Sequence, residues 1–198
     1  AQEVARRAKA RADATTSLRP GARVGVPLPS VAPDRGDSRR TYRHVDLSWD
    51  KEARTATLVV RAPSADDVAL AARGAAAIHE AGAELWALRA MRELDDALLY
   101  LRFNLLDIGL VLLRAEGDPA QVLAHDAALW AARDHWFVHE VVLHMGRVFR
   151  RVDLTSRSFF ALGEPPAAAA AAFAGCLLEL ALAADRFYML DDESNQVG

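Results

Sequence analysis

The chain has 198 residues with a hydrophobic share of 52%, enough for one domain with a sizeable core and an appendage. Its single cysteine excludes an internal disulfide framework and argues against a cysteine-based zinc site, and no apolar run is long enough to span a membrane. The net charge of -3 hides an asymmetry: residues 1–43 hold ten Lys/Arg against four Asp/Glu, about +6, leaving about -9 for the rest.

That basic segment lacks interleaved aromatics and runs through a Pro/Gly-rich stretch, so it reads as a solvated arm and not as a nucleic-acid surface. No secretory apolar segment is visible near Ala1, and the expectation is a cytoplasmic protein without a nucleic-acid or membrane partner. Val4 to Ala14 fits a short helix with a thin apolar face. Residues 20–40, with Pro20, Gly21, Pro27, Pro29, Pro33 and Gly36, read as an irregular connector. Residues 1–40 are therefore expected to be an irregular basic arm, and 41–198 the folded domain.

Within the domain, Tyr42 to Trp49 alternates in polarity, Asp50-Lys51-Glu52-Ala53 suits a turn, and Thr55 to Arg61 follows, which together predict a β-hairpin ended by Pro63. Val68 to Ile78 is Ala-rich and predicted helical, with a break at Gly82; Leu85 to Leu101 has apolar residues at helical spacing. Ile108 to Leu113 is a continuous apolar run, as in a buried parallel strand. After the loop Glu116-Gly117-Asp118-Pro119 comes a long amphipathic helix whose inner side is expected to carry Trp130, Phe137, Val138, Val141, Val142, Met145 and Phe149. Arg157 to Leu162 is a second buried strand. An alanine run and a helix bearing Glu179 lead to a third, Phe187 to Leu190. Strands alternating with helices predict an α/β layer protein. Such sheets work at the carboxyl ends of their strands, here the loops at 114–126 and 163–176.

Glu179 stands alone in an apolar run from Cys176 to Ala184, with Gly175, Cys176, Leu182 and Ala183 as its neighbours one turn away. The helix should be buried nearly all round, and a buried carboxylate has its pKa raised into the range of a general acid or base. The alternative is a Glu at a helix edge, bonded to a backbone amide or to an Arg such as Arg186. His135 and His139 are one turn apart, but His139 and His144 are separated by five residues and their rings diverge, so they read as ordinary helix-face histidines and no metal is expected. Glu116-Gly117-Asp118-Pro119 is either a plain turn or a site loop after a buried strand. Glu164, before two prolines, is an exposed loop acid or a carboxylate aimed by them. Gly175 allows a tight helix entry or close backbone approach, and amides at a helix start can bind an oxyanion.

The run Glu179-Leu180-Ala181-Leu182-Ala183-Ala184-Asp185 resembles the motif of the crotonase (enoyl-CoA hydratase/isomerase) superfamily, in which Glu, Leu and Ala precede an Asp that leads into a strand. Arg92 to Asn104, Ile108-Gly109-Leu110, Glu116 to Pro119, Asp134 to Val138, Thr155 to Ser158 and Ala184 to Leu190 extend the resemblance from about Tyr42 to Leu190. They narrow it to the superfamily's ring-opening lyases. The resemblance implies crotonase-like ββα repeats forming an N-terminal portion of the spiral core. It implies Glu179 as a catalytic carboxylate and Glu164 as a second acid by proximity. It implies an oxyanion hole from the backbone N–H of Gly175 or Cys176 and of Gly117 or Asp118. The implied substrate is an acyl-CoA thioester, an aromatic-derived epoxide that is opened by water with loss of one carbon as formate. CoA belongs to the substrate, no further cofactor is expected, and a homo-oligomer is. The alternatives are an enoyl-CoA hydratase or isomerase, or a non-catalytic crotonase-like assembly module. Two departures stand out: Pro166 and Ala167 to Ala172 replace a short Gly/Ser/Cys-type turn, and the chain stops at Gly198, which reads as an incomplete domain.

Overall fold

A computed structural model describes residues 2–17, 25–163 and 171–189. Its elements are the strands β1 (Asp34–Gly36), β2 (Arg39–Thr41), β3 (Val45–Asp50), β4 (Thr55–Arg61), β5 (Leu110–Glu116), β6 (Ser158–Leu162) and β7 (Arg186–Tyr188). The helices are α1 (Gln2–Ser17), α2 (Ala65–Ala72), α3 (Ala75–Ala81), α4 (Trp86–Asn104), α5 (Pro119–Ala131), α6 (Trp136–Leu154) and α7 (Gly175–Leu182). The seven strands form one sheet in chain order, antiparallel from β1 to β4 and parallel from β4 to β7. The expected α/β class, the hairpin and the three later strands are all present.

The parallel half buries one face through alternation: Ala56, Leu58 and Val60 of β4, Val111, Leu113 and Ala115 of β5, Phe159 and Ala161 of β6. Leu110 and Leu112 point to the other, half-covered face, so the apolar run in β5 is not buried on both sides. Against the covered face lies α4, whose Trp86, Met91, Leu94, Leu98 and Leu101 are fully buried, and beyond it α6 with Val138, Val141 and Val148.

Three of the helices start where a side chain meets their free amides. Ser64 and Asp67 form a reciprocal capping box on α2. Asp118 accepts from Ala120 N at 2.8 Å, and Pro119 supplies the first turn of α5. His135 accepts from Phe137 N through Nδ1 at 3.2 Å and starts α6. One buried charge is fully met: Glu93, 1% exposed, takes the His44 N–H and the Arg89 Nε–H, each at 2.7 Å.

Four expectations need correcting. The segment read as irregular up to residue 40 includes β1 and most of β2, whose pairing (Arg39↔Ser48, Arg40↔Leu47) is supplied by β3, so a boundary at 40/41 cuts a strand; the short helix expected over Val4 to Ala14 is present and runs from Gln2 to Ser17. The helix over Val68 to Ile78 is two helices, parted at Gly74, whose φ of +94° no helix accommodates. The long helix after Pro119 is also two, and Trp130 (70% exposed) and Val142 lie outside the core. The third late strand is a three-residue edge with Arg186 and Tyr188 exposed. Among the described residues no helix is long and apolar enough to cross a membrane.

Candidate active site at the carboxyl ends of the parallel strands

At the carboxyl end of β5 the chain turns under tight constraint. Ala62 N, just past β4, donates to Glu116 O at 2.8 Å. Gly117 follows with φ +131°, and a Cβ there would lie 2.6 Å from the Ala62 Cβ, so only glycine fits. On the other side of β5, Ala172 N donates to Ala115 O at 3.0 Å and Ala171 bridges to Glu116. The buried segment Ala171 to Ala174 therefore runs along the end of β5 and delivers the chain into α7. The two stretches expected to supply an oxyanion hole, Gly117-Asp118 and Gly175-Cys176, thus start from adjacent backbone.

The entry to α7 is built around a residue that the sequence reading did not single out. Asp126 of α5 accepts from Cys176 N at 2.6 Å. Gly175 has φ +48°, and a Cβ on it would collide with Asp126 Oδ2. The close approach foreseen at Gly175 is thus to this carboxylate. The Cys176 N–H, an expected oxyanion donor, is already engaged, a correction that follows from α7 lacking a side-chain cap of its own. Burial pushes the Asp126 carboxyl above the usual carboxylate range, partly offset by the Cys176 hydrogen bonds. Burial, with Asp126 alongside, pushes the Cys176 thiol well above the usual thiol range, so it stays protonated at neutral pH.

Glu179 is exposed, against the expectation of burial all round: α7 buries Leu177, Leu180 and Ala181, while Glu179 and Leu182 (65% exposed) face outward. The desolvation argument for Glu179 therefore fails. Among the described residues no ion pair joins it to Arg186, so the edge alternative with that arginine fails too. Glu179 instead borders a groove of about 640 Å³ between α5, α6 and α7, shared with Asp126, Trp130, His139, Met145, Phe149 and Cys176. The groove walls are mostly apolar, and its three carboxylates come from α5 (Asp126), the turn between α5 and α6 (Asp134) and α7 (Glu179).

Glu164 lies outside the described residues, as do Ala167 to Ala170. The Asp118 side chain caps α5, which does not engage its backbone N–H. Asp185, the acidic end of the Glu179 motif, is structural here: its Oδ2 accepts from Phe159 N at 2.8 Å and its N donates to Phe159 O at 2.9 Å, clamping the turn after α7 onto β6. His135 caps α6 and lies 5.2 Å, centre to centre, from the His79 ring. Among the described residues no three His, Cys, Asp or Glu side chains gather to hold a metal ion.

No family model matches the chain. A crystal structure from Streptomyces coelicolor A3(2), of a protein assigned as an enoyl-CoA hydratase, aligns with 86% of this chain and 50% of its own at a TM-score of 0.42 and 19% identity. In sequence the chain is 47% identical over 193 residues, 96% of its length, to the benzoyl-CoA-dihydrodiol lyase of Aromatoleum evansii, of which it spans 33%. The resemblance read from the motifs between Tyr42 and Leu190 is thus a continuous similarity to about a third of a benzoyl-CoA-dihydrodiol lyase.

Proposed function

We propose that this chain is the portion of a ring-opening CoA-thioester lyase that carries Glu179, acting on 2,3-epoxybenzoyl-CoA and releasing formate. The observation that carries the reading is the 47% identity sustained over 96% of the chain. The groove beside Glu179 supports it: apolar walls suit an aromatic acyl group, and carboxylates at its edge suit proton transfer.

In this reading backbone amides at the end of β5 and the start of α7 polarise the thioester carbonyl. Gly117, Asp118 and Gly175 remain the proposed donors; Cys176 serves only if Asp126 releases it. Glu179 takes a proton from a first water, whose oxygen opens the epoxide; a second water then adds to the ring carbon that is lost, its C–C bond to the ring breaks, and it leaves as formate beside an open-chain semialdehyde thioester. CoA enters with the substrate, and the reaction as written needs no other cofactor. A cytoplasmic homo-oligomer fits the same reading.

The test is formate release from 2,3-epoxybenzoyl-CoA, with crotonyl-CoA as control. Formate from the epoxide is the expected result. Hydration of crotonyl-CoA without formate would replace the lyase with a hydratase. Turnover of neither, by a folded sample that binds a CoA thioester, would leave a binding module.

A further inference from the structure

Besides Glu179, the groove carries the carboxylates of Asp126 and Asp134, and of these Asp126 is the one bonded to the entry of α7. It sits on α5, one wall of the groove, while Glu179 sits on α7, another. Its Oδ2 is anchored by the Cys176 N–H at 2.6 Å. The backbone yields to it: Gly175 adopts φ +48° and has no Cβ, and any side chain there would strike that oxygen. A carboxylate needed only to cap a helix does not require a glycine in the left-handed region, since Ser, Thr or Asn at the N-cap does the same locally. Here the N-cap is Ala174, and the acceptor comes from a residue 50 positions earlier.

We propose, building on the lyase reading above, that Asp126 is the second acid–base carboxylate of this groove, the proton donor opposite Glu179. In the opening step water loses a proton to Glu179 as its oxygen bonds to an epoxide carbon. The C–O bond of the epoxide breaks, and its oxygen takes the proton held on Asp126 Oδ1. Asp126 is left as a carboxylate on the Cys176 amide and regains a proton from solvent; Glu179 returns its proton to solvent. Nothing is oxidised or reduced. Burial favours the protonated form that this task requires, and a bound aromatic acyl group would desolvate Asp126 further. Cys176 on α7 touches it, and the other titratable or charged groups lining the groove are Glu179 on α7, His139 on α6, and Arg133 and Asp134 beyond α5.

The test uses Asp126→Asn, which keeps an amide oxygen for the Cys176 N–H and cannot deliver a proton. Two readouts are taken, one without turnover. First, benzoyl-CoA, unreactive for lack of an epoxide, is titrated onto the chain between pH 5 and 8, and protons taken up on binding are measured. Uptake in the parent chain that vanishes in Asp126→Asn is expected. Equal uptake in both, or no binding of benzoyl-CoA, overturns the proposal. Second, kcat on 2,3-epoxybenzoyl-CoA should fall about 100-fold or more in Asp126→Asn, with the alkaline limb of the pH profile lost and Tm unchanged. Full activity at an unchanged Tm would leave Asp126 as a cap and overturn the proposal. Proton uptake that depends on Asp126, with no formate from either chain, would sink the lyase reading while keeping the assignment of Asp126.

Discussion

Replacing Gly175 with alanine tests the joint between α5 and α7 directly. The backbone at φ +48° costs a non-glycine residue about 1 kcal/mol. The added Cβ also falls well inside contact distance of Asp126 Oδ2. Since α7 is held through Phe173, Ala174, Leu177 and Leu180, all 0–1% exposed, the short Asp126 side chain must yield and lose the 2.6 Å bond from Cys176 N. A hydrogen bond to a charged group contributes about 1.5–3 kcal/mol, so the sum is about 3 kcal/mol or more. For a chain of this size that is about 10 °C in Tm, readable by urea or thermal unfolding. The same change made on Asp126→Ala meets no carboxylate and should cost only the backbone part, a coupling of about 2 kcal/mol between the two sites. Additivity within about 0.5 kcal/mol would refute the claim that Gly175 exists to admit Asp126.

Glu179→Gln should lower formate release by about 10²–10⁴ and leave stability within about 0.5 kcal/mol, because the side chain is exposed; intact turnover would remove Glu179 from the site. His125 is fully buried against Trp86 with neither ring nitrogen hydrogen-bonded among the described residues, and burial pushes its pKa down to about 4. The unfolded chain protonates it near pH 6.5 and the folded chain does not, so stability falls as pH drops from about 6.5 to about 4, by about 3 kcal/mol for this group. His125→Leu should flatten that part of an unfolding-versus-pH curve and cost little at pH 7; His44 and His144, also pushed down by burial, leave a residual slope of the same sign. An unchanged slope in His125→Leu would show that the ring is solvated in the folded state.

What could be read from sequence was whatever is decided locally. The hairpin follows from alternation around Asp50 to Ala53, and α4 from apolar spacing over Leu85 to Leu101. β1 and β2 escaped because three-residue, arginine-rich strands have no pattern of their own; β3 makes them strands. The break between α5 and α6 falls at Ala132-Arg133-Asp134-His135, without Gly or Pro, and is capped by a histidine, outside the usual cap chemistry. Glu179 was identified as the residue of interest for a reason that fails: its neighbours in sequence are apolar, but its neighbours in space are a groove. Asp126 was not legible at all, because its only partners of consequence, Gly175 and Cys176, lie about 50 residues away.

The change from antiparallel to parallel pairing at β4 also sets an order of assembly. Closing β3 onto β4 joins Asp50 to Thr55, a loop of about 5 residues, whereas joining Thr55 to Leu110 encloses about 55. The difference in closure entropy is about 2 kcal/mol, against β5 and again, at similar separation, against β6. The hairpin should therefore form first and present the free edge of β4 as a template that recruits β5 once α4 has folded back. In pulsed hydrogen exchange, amides of Leu47 and Leu58 would gain protection before those of Val111 and Phe159; simultaneous protection would mean that collapse, and not loop closure, governs the order. A chain emerging stepwise from a ribosome meets these events in the same sequence, so the half that depends on the longest loops is built last, on a surface already prepared for it.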